Sequence, residues 1–223
     1  VFDSRYGLAR WEKGQLLKII LSPQNRIGQI TAMTASKESI LLGTQTGEVY
    51  RMEVKSNAMS NEPKINKIIA VSHQGKVSSL QAGMGWWLSF GEDKTLYFGK
   101  EGQKSQKLQF SHPIEDAQIT PAGPMILTNQ GLYFAHNPEK NLIPGIQGGI
   151  SLWPHSRGIC LGDRKGRVHF LTGETLEDYQ GYRIGHGDWP MVFLDLGKER
   201  LLSGSLNGSI LEWNSKTCLL YTS

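Results

Sequence analysis

The stretch from Gly185 to Asn214 constrains this chain more than any other, because it carries two hairpin signals in close succession. It opens on Gly185-His186, runs apolar from Met191 to Leu196, turns at Gly197-Lys198 and runs apolar again at Leu201-Leu202. It then turns at Asn207-Gly208 and closes on a run from Ser209 to Trp213-Asn214. Short apolar runs separated by glycine-bearing pairs read as antiparallel strands, since such pairs supply the positive-φ backbone that tight turns need. A sheet of so few strands cannot cover its own two faces, so the rest of the chain has to cover them.

It does so by repetition. Taking the place of Trp213 as a marker, the first unit ends Tyr6-Gly7-Leu8-Ala9-Arg10-Trp11-Glu12. The second has strands at Ile30–Met33, Ile40–Gly43 and Glu48–Met52 around a Thr46-Gly47 turn, with Met52 as marker. The third starts at His73 and Val77, pairs through Trp86–Phe90, turns at Glu92-Asp93-Lys94 and has Phe98 as marker. The fourth runs through Ala117–Thr120 and Met125–Thr128, turns at Asn129-Gln130-Gly131 and has Phe134. The fifth has Ile150–Trp153, Gly158–Leu161, an Arg164-Lys165-Gly166 turn and Phe170. Marker spacings are 41, 46, 36, 36 and 43 residues. Between markers there is room for a fourth, more polar outer strand at Gln15–Leu21, Ile65–Val71, Lys107–Phe110, Asn141–Ile143, Leu176–Tyr182 and Cys218–Tyr221. No segment keeps an apolar period of 3.6 for three turns, so no helix is expected.

The order of Gly-His, strand pair, Asp/Asn-Gly turn and strand ending in Trp-Asp or Trp-Asn resembles a WD repeat. The resemblance covers nearly the whole chain and is closest at residues 1–12, 73–98 and 185–214. It implies an all-β fold, a β-propeller of four-stranded antiparallel blades, six in number, with a seventh compatible with the loose period. Residues 1–223 would form one propeller domain, with a partial blade at 1–22 and blades at 29–72, 73–111, 112–145, 148–182 and 185–223. The markers Trp11, Phe98, Phe134, Phe170 and Trp213 are then expected between blades, where one aromatic side chain buries roughly 150–250 Å². In WD repeats the His of Gly-His hydrogen-bonds within its blade toward the turn Asp. The resemblance therefore implies structural roles for His73 with Asp93 and for His186 with Asn207, the second pairing departing from the family pattern.

Ser56-Asn57-Ala58-Met59 reads either as an expression-tag scar ahead of a start Met or as ordinary loop sequence. The chain also begins in mid-repeat, and 21 residues separate Trp213 from Trp11 through Ser223 and Val1, about half a repeat. A native order from Met59 to Ser223, through a further segment of ~20 residues to Val1–Lys55, accommodates both facts. The expectation is a permuted or incomplete chain order.

The net charge is +4 and the pI about 9.0, but Lys and Arg are dispersed, which argues against a nucleic-acid-binding face. No apolar stretch approaches the ~20 residues that span a bilayer, and no signal peptide is evident, so no membrane role is expected. Cys160 and Cys218 sit in separate apolar runs and read as buried free thiols, which favours a reducing, intracellular and cytoplasmic setting. None of the six histidines has metal-ligand spacing. No nucleophile elbow, phosphate loop or His-Glu-x-x-His motif occurs. The carboxylate pairs Glu115-Asp116 and Glu177-Asp178 read as connecting-loop residues. The expectation is no catalytic, cofactor-binding or metal-binding residue. The function that follows is a non-enzymatic scaffold binding other proteins or peptides through propeller faces and loops. The alternative is a propeller enzyme acting on a small molecule or glycan at the central channel. Candidate partner contacts are Asp188 and Trp189, a pair on a connecting loop that the other repeats do not share as residues, and Trp86 and Trp87, of which strand alternation points one inward. Nothing in the sequence sets an oligomeric state.

Overall fold

The structure, a computed structural model, describes residues 2–3, 7–12, 15–21, 27–35, 39–53, 65–143, 146, 148–155, 158–173, 176 and 178–220. Within these ranges it describes side chains at 27–35, 39–52 and from 71 onward. The Ser56–Met59 segment and the Trp11 side chain lie outside that description. All regular structure among the described residues is antiparallel sheet, with no helix. The chain divides into two compact units, Val1–Lys107 and Leu108–Ser223.

The first unit opens with a three-stranded sheet of β1 (Phe2–Asp3), β2 (Gly7–Glu12) and β3 (Gln15–Leu21). The next sheet has β4 (Ile30–Ala35), β5 (Ser39–Thr44), β6 (Glu48–Glu53) and β7 (Ile65–Ser72). A third has β8 (Val77–Gly83), β9 (Trp86–Gly91), β10 (Thr95–Lys100) and β11 (Gln106–Gln109), in which the unit boundary falls. The second unit begins with β12 (Ile114–Thr120), β13 (Gly123–Thr128) and β14 (Gly131–Phe134). It continues with β15 (Gly149–His155), β16 (Gly158–Asp163), β17 (Arg167–Thr172) and β18 (Asp178–Ile184). It closes with β19 (Pro190–Gly197), β20 (Arg200–Ser205), β21 (Ile210–Asn214) and β22 (Leu219–Leu220). Every sheet is a meander in chain order, as short strands joined by tight turns dictate.

The β12–β14 sheet corrects one expectation: Asn141–Ile143 forms no fourth strand. The Asn141 side chain replaces the strand's ladder. Its Oδ1 accepts from the N–H groups of Leu132 (3.2 Å) and Ile143 (3.0 Å), and its Nδ2 donates to the Gln130 carbonyl (3.1 Å). One backbone bond, Leu142 N–H to the Leu132 carbonyl at 2.8 Å, accompanies them. A second correction concerns Glu115-Asp116, which lies within β12 and not in a connecting loop.

Five sheets share a register shift near the start of their first strand, at Ile30/Ala32, Val77/Ser79, Ile114/Asp116, Gly149/Ser151 and Pro190/Val192. An extra residue there twists the strand and turns its neighbours' side chains away from the ladder. Three of the freed side chains link one sheet to the next. Thr31 Oγ1 donates to the Val77 carbonyl (2.7 Å), and Ser151 Oγ to the Pro190 carbonyl (2.6 Å). Asp116 Oδ2 accepts the Leu152 N–H at 2.8 Å. Turn glycines make a second link. The His73 N–H donates to the Gly47 carbonyl (3.0 Å) and the His186 N–H to that of Gly166 (3.3 Å). Gly47 and Gly166 have φ of 91° and 73°, and a Cβ on either would fall 2.1 or 2.2 Å from the carbonyl oxygen of the histidine it meets. Only glycine satisfies both the backbone and the approach.

The cores lie between successive sheets. In the first unit Leu41, Val49, Val71, Val77, Leu80, Trp87 and Tyr97 form one cluster. In the second unit Phe170, Cys160 and Val168 of one sheet pack on Phe193, Leu201 and Trp213 of the next. The opposite face of β19–β22 carries Val192, Leu194 and Ile210, all exposed.

Candidate interaction surface

The partners of the buried polar residues show what these side chains do. Asp93 lies in the β9–β10 turn, accepting the N–H groups of Thr95 (3.1 Å) and Gln74 (2.9 Å). Its Oδ1 is 3.0 Å from His73 Nδ1, while His73 Nε2 is 3.0 Å from Ser89 Oγ. A carboxylate only accepts, so Nδ1 carries the proton and Nε2 accepts from Ser89. Burial opposes the Asp93 charge, but the bonds from Gln74, His73 and Thr95 outweigh it and hold the carboxyl below the usual range. Burial holds the His73 imidazole below its ordinary value, with Asp93 opposing the shift.

The last sheet repeats the arrangement with different side chains. Trp213 Nε1 donates to Ser203 Oγ (2.6 Å), and His186 Nε2 lies 2.6 Å from the same oxygen. His186 Nδ1 is 2.9 Å from Ser209 Oγ. The expected His186–Asn207 contact is replaced, because Asn207 Oδ1 is taken up by the Ser209 N–H (3.0 Å) and the Ser205 hydroxyl (2.5 Å) inside the turn. A third version, unforeseen from the sequence, centres on fully buried Asp163. It accepts from Arg167 Nε (2.5 Å), His169 Nε2 (3.0 Å) and the N–H groups of Lys165 and Arg167. His169 Nδ1 in turn accepts from Tyr179 O–H at 2.8 Å. In all three the polar groups consume one another. The thiols of Cys160 and Cys218 are free, buried and pushed up by burial. No group of three or more His, Cys, Asp or Glu among the described residues could hold a metal ion.

A different arrangement lies at the opposite extreme of exposure in the second unit. Trp189, in the loop entering β19, is 38% exposed. Its N–H donates to Asp188 Oδ1 (2.8 Å) and its carbonyl accepts from Leu206 (3.0 Å). The Arg164 guanidinium, from the β16–β17 turn, lies 5.4 Å from the centroid of the Trp189 ring. Its Nη2 is 3.2 Å from Glu115 Oε1, at the β12 bulge. Leu206, in the β20–β21 turn beside Trp189, is 64% exposed. Three sheets thus contribute one charged and apolar surface: a half-exposed tryptophan, an arginine over its ring, a glutamate paired with the arginine, and a leucine alongside.

Solved structures with the same arrangement of sheets identify the architecture. The WD40 β-propeller domain of Doa1 superposes with a TM-score of 0.64 at 18% identity, over 93% of this chain and 71% of that one. The chain has the WD40 β-propeller fold. Sqt1 of Chaetomium thermophilum, bound to the N-terminus of the ribosomal protein L10, gives 0.70 at 11% identity, over 92% of this chain and 64% of that one. A chain of the mitotic checkpoint complex gives 0.64 at 10%, over 82% of this chain and 60% of that one. No protein-family profile matches the sequence, and no curated protein sequence matches it.

Within this propeller fold the markers Phe98, Phe134, Phe170 and Trp213 are at most 3% exposed. Of the tryptophan pair, Trp87 is buried in the first unit's core, so its ring offers no contact surface. Trp86 is half-buried, packed on Phe98 at 6.5 Å and lying 5.0 Å from Lys100 Nζ. Arg164, Glu115 and Leu206 were not singled out as contacts from the sequence. Arg164 stood there only as a turn residue, and nothing local says that its turn meets the Trp189 loop. No helix of the described residues is long and apolar enough to cross a membrane.

Proposed function

We propose that the protein is a non-enzymatic interaction scaffold, and that it binds other proteins or peptides at the surface around Trp189, Asp188, Arg164 and Leu206. The observation that carries this reading is the half-exposed Trp189 ring with the Arg164 guanidinium over it, 5.4 Å from its centroid. Tryptophan and arginine anchor protein interfaces because each offers much contact area together with a polar handle. Contact residues on loops held by a rigid sheet need little reordering on binding. The likeness to Sqt1 bound to a protein N-terminus lends support, since the same fold there holds a peptide segment. The buried free thiols of Cys160 and Cys218 fit a reducing, intracellular setting.

Photo-crosslinking tests the reading. A photoreactive residue at position 189 is expected to capture a discrete protein from source-cell lysate, while one at exposed Lys104 captures nothing in common with it. The same adducts from both positions, or none from position 189, contradicts it.

A further inference from the structure

We infer that the Arg164–Trp189 pair is a clamp for a carboxylate, carried by an extended peptide as an Asp or Glu side chain next to an apolar residue. This rests on the reading of the Trp189 surface as the interaction surface, and it names what that surface takes.

The reason is how firmly Arg164 is held while half of its side chain, 46%, stays in solvent. Its stem lies against the bare Gly148, where an added Cβ would come within 3.3 Å of Arg164 Cβ and Cδ. Its N–H donates to the Gly148 carbonyl at 2.8 Å. Its guanidinium is fixed on one face by Trp189 and at Nη2 by Glu115. The Trp189 backbone is itself held by Asp188 and Leu206. An ordinary surface arginine loses much rotamer freedom when it engages a partner, and the contacts to Gly148, Trp189 and Glu115 restrict this one before it binds. The planar fork has five N–H donors, and a carboxylate takes two of them in parallel. Glu115 and Asp188 offset Arg164 and Lys165 in charge, so long-range attraction is weak and the fork's shape has to do the selecting. Leu206 supplies the apolar neighbour.

The test is an array of short peptides, each made once with Asp or Glu and once with the matching Asn or Gln. It is probed with the full chain, and the best pairs are then measured in solution. The acid form is expected to bind wild type about tenfold more tightly than the amide form. R164K keeps the charge and loses the fork, so the difference between the two forms should collapse in it. E115Q frees the guanidinium and should shrink the difference without removing it. Unchanged melting temperatures show that both variants fold. W189A should weaken both peptide forms. Equal affinity of acid and amide forms, with W189A still weakening both, overturns the clamp and leaves the surface. Affinity indifferent to W189A, or no binding peptide, overturns both. Displacement by free glutarate with no preference among peptides assigns the clamp to a small carboxylic acid and overturns the peptide assignment.

Discussion

One hydroxyl, Ser203 Oγ, accepts from Trp213 Nε1 and meets His186 Nε2 where none of the three residues is more than 4% exposed. Ser203→Ala leaves both groups without that partner, at about 1–3 kcal/mol each, so urea denaturation should show a loss of roughly 2–6 kcal/mol. The buried titratable groups also set a pH dependence. Burial holds the imidazoles of His73, His155 and His186 below 6.5, so the unfolded chain takes up protons that the folded chain refuses. Their contribution to stability is full above pH 6.5 and is lost as the pH falls below it, by up to about 1.4 kcal/mol per pH unit for each refused proton. Asp116 acts in the opposite sense. Burial raises its carboxyl from 3.8 to about 6, against the bonds from Leu152 and Ala117, so its penalty is full above pH 6 and relieved toward 3.8. In Asp116→Asn, which removes the opposing carboxyl, the melting temperature should be lower at pH 5 than at pH 7.5. The His73–Asp93 contact was legible because both residue types stand at fixed places in the repeat. Ser209 in place of Asn207 was not, because both side chains can reach the same turn and only the backbone path decides between them.

At the scale of the element, turns and strands carry different amounts of their own instructions. The glycine turns are legible, but their tightness is not. Gly166→Ala meets both a φ of 73° and a carbonyl 2.2 Å from the new Cβ, whereas Gly208→Ala meets a φ of 85° in open space. Gly208→Ala should cost about 1 kcal/mol from backbone strain alone, and Gly166→Ala clearly more, as measured by denaturant midpoints. Equal losses would mean that the turn does not hold the next sheet's histidine. Strands with apolar alternation could be read from the sequence, and the polar outer ones only in part. Gln106–Gln109 and Asn141–Ile143 both follow a loop, yet only the first forms a strand. The difference is one side chain, Asn141, which reaches the donors and acceptors that a strand backbone would use. Hydrophobic pattern does not encode that substitution.

At the scale of the molecule, the repeat made the fold readable because a small sheet with two apolar faces must be stacked. The proposed contact surface was readable only through Asp188 and Trp189, two residues that the other repeats lack in the corresponding loop. Its other members come from turns and a bulge far apart in sequence, joined by geometry that no local signal states. Stability and recognition should therefore separate. Trp213→Ala empties a fully buried site and should cost about 3–5 kcal/mol, while Trp189→Ala, at a half-exposed loop, should leave the melting temperature nearly unchanged and weaken partner binding. Hydrogen–deuterium exchange, with and without the captured partner, locates the contact most directly. The predicted result is slowed exchange confined to the Arg164 turn, the Asp188-Trp189 loop and the Leu206 turn. Protection elsewhere, with these three segments unchanged, would contradict it.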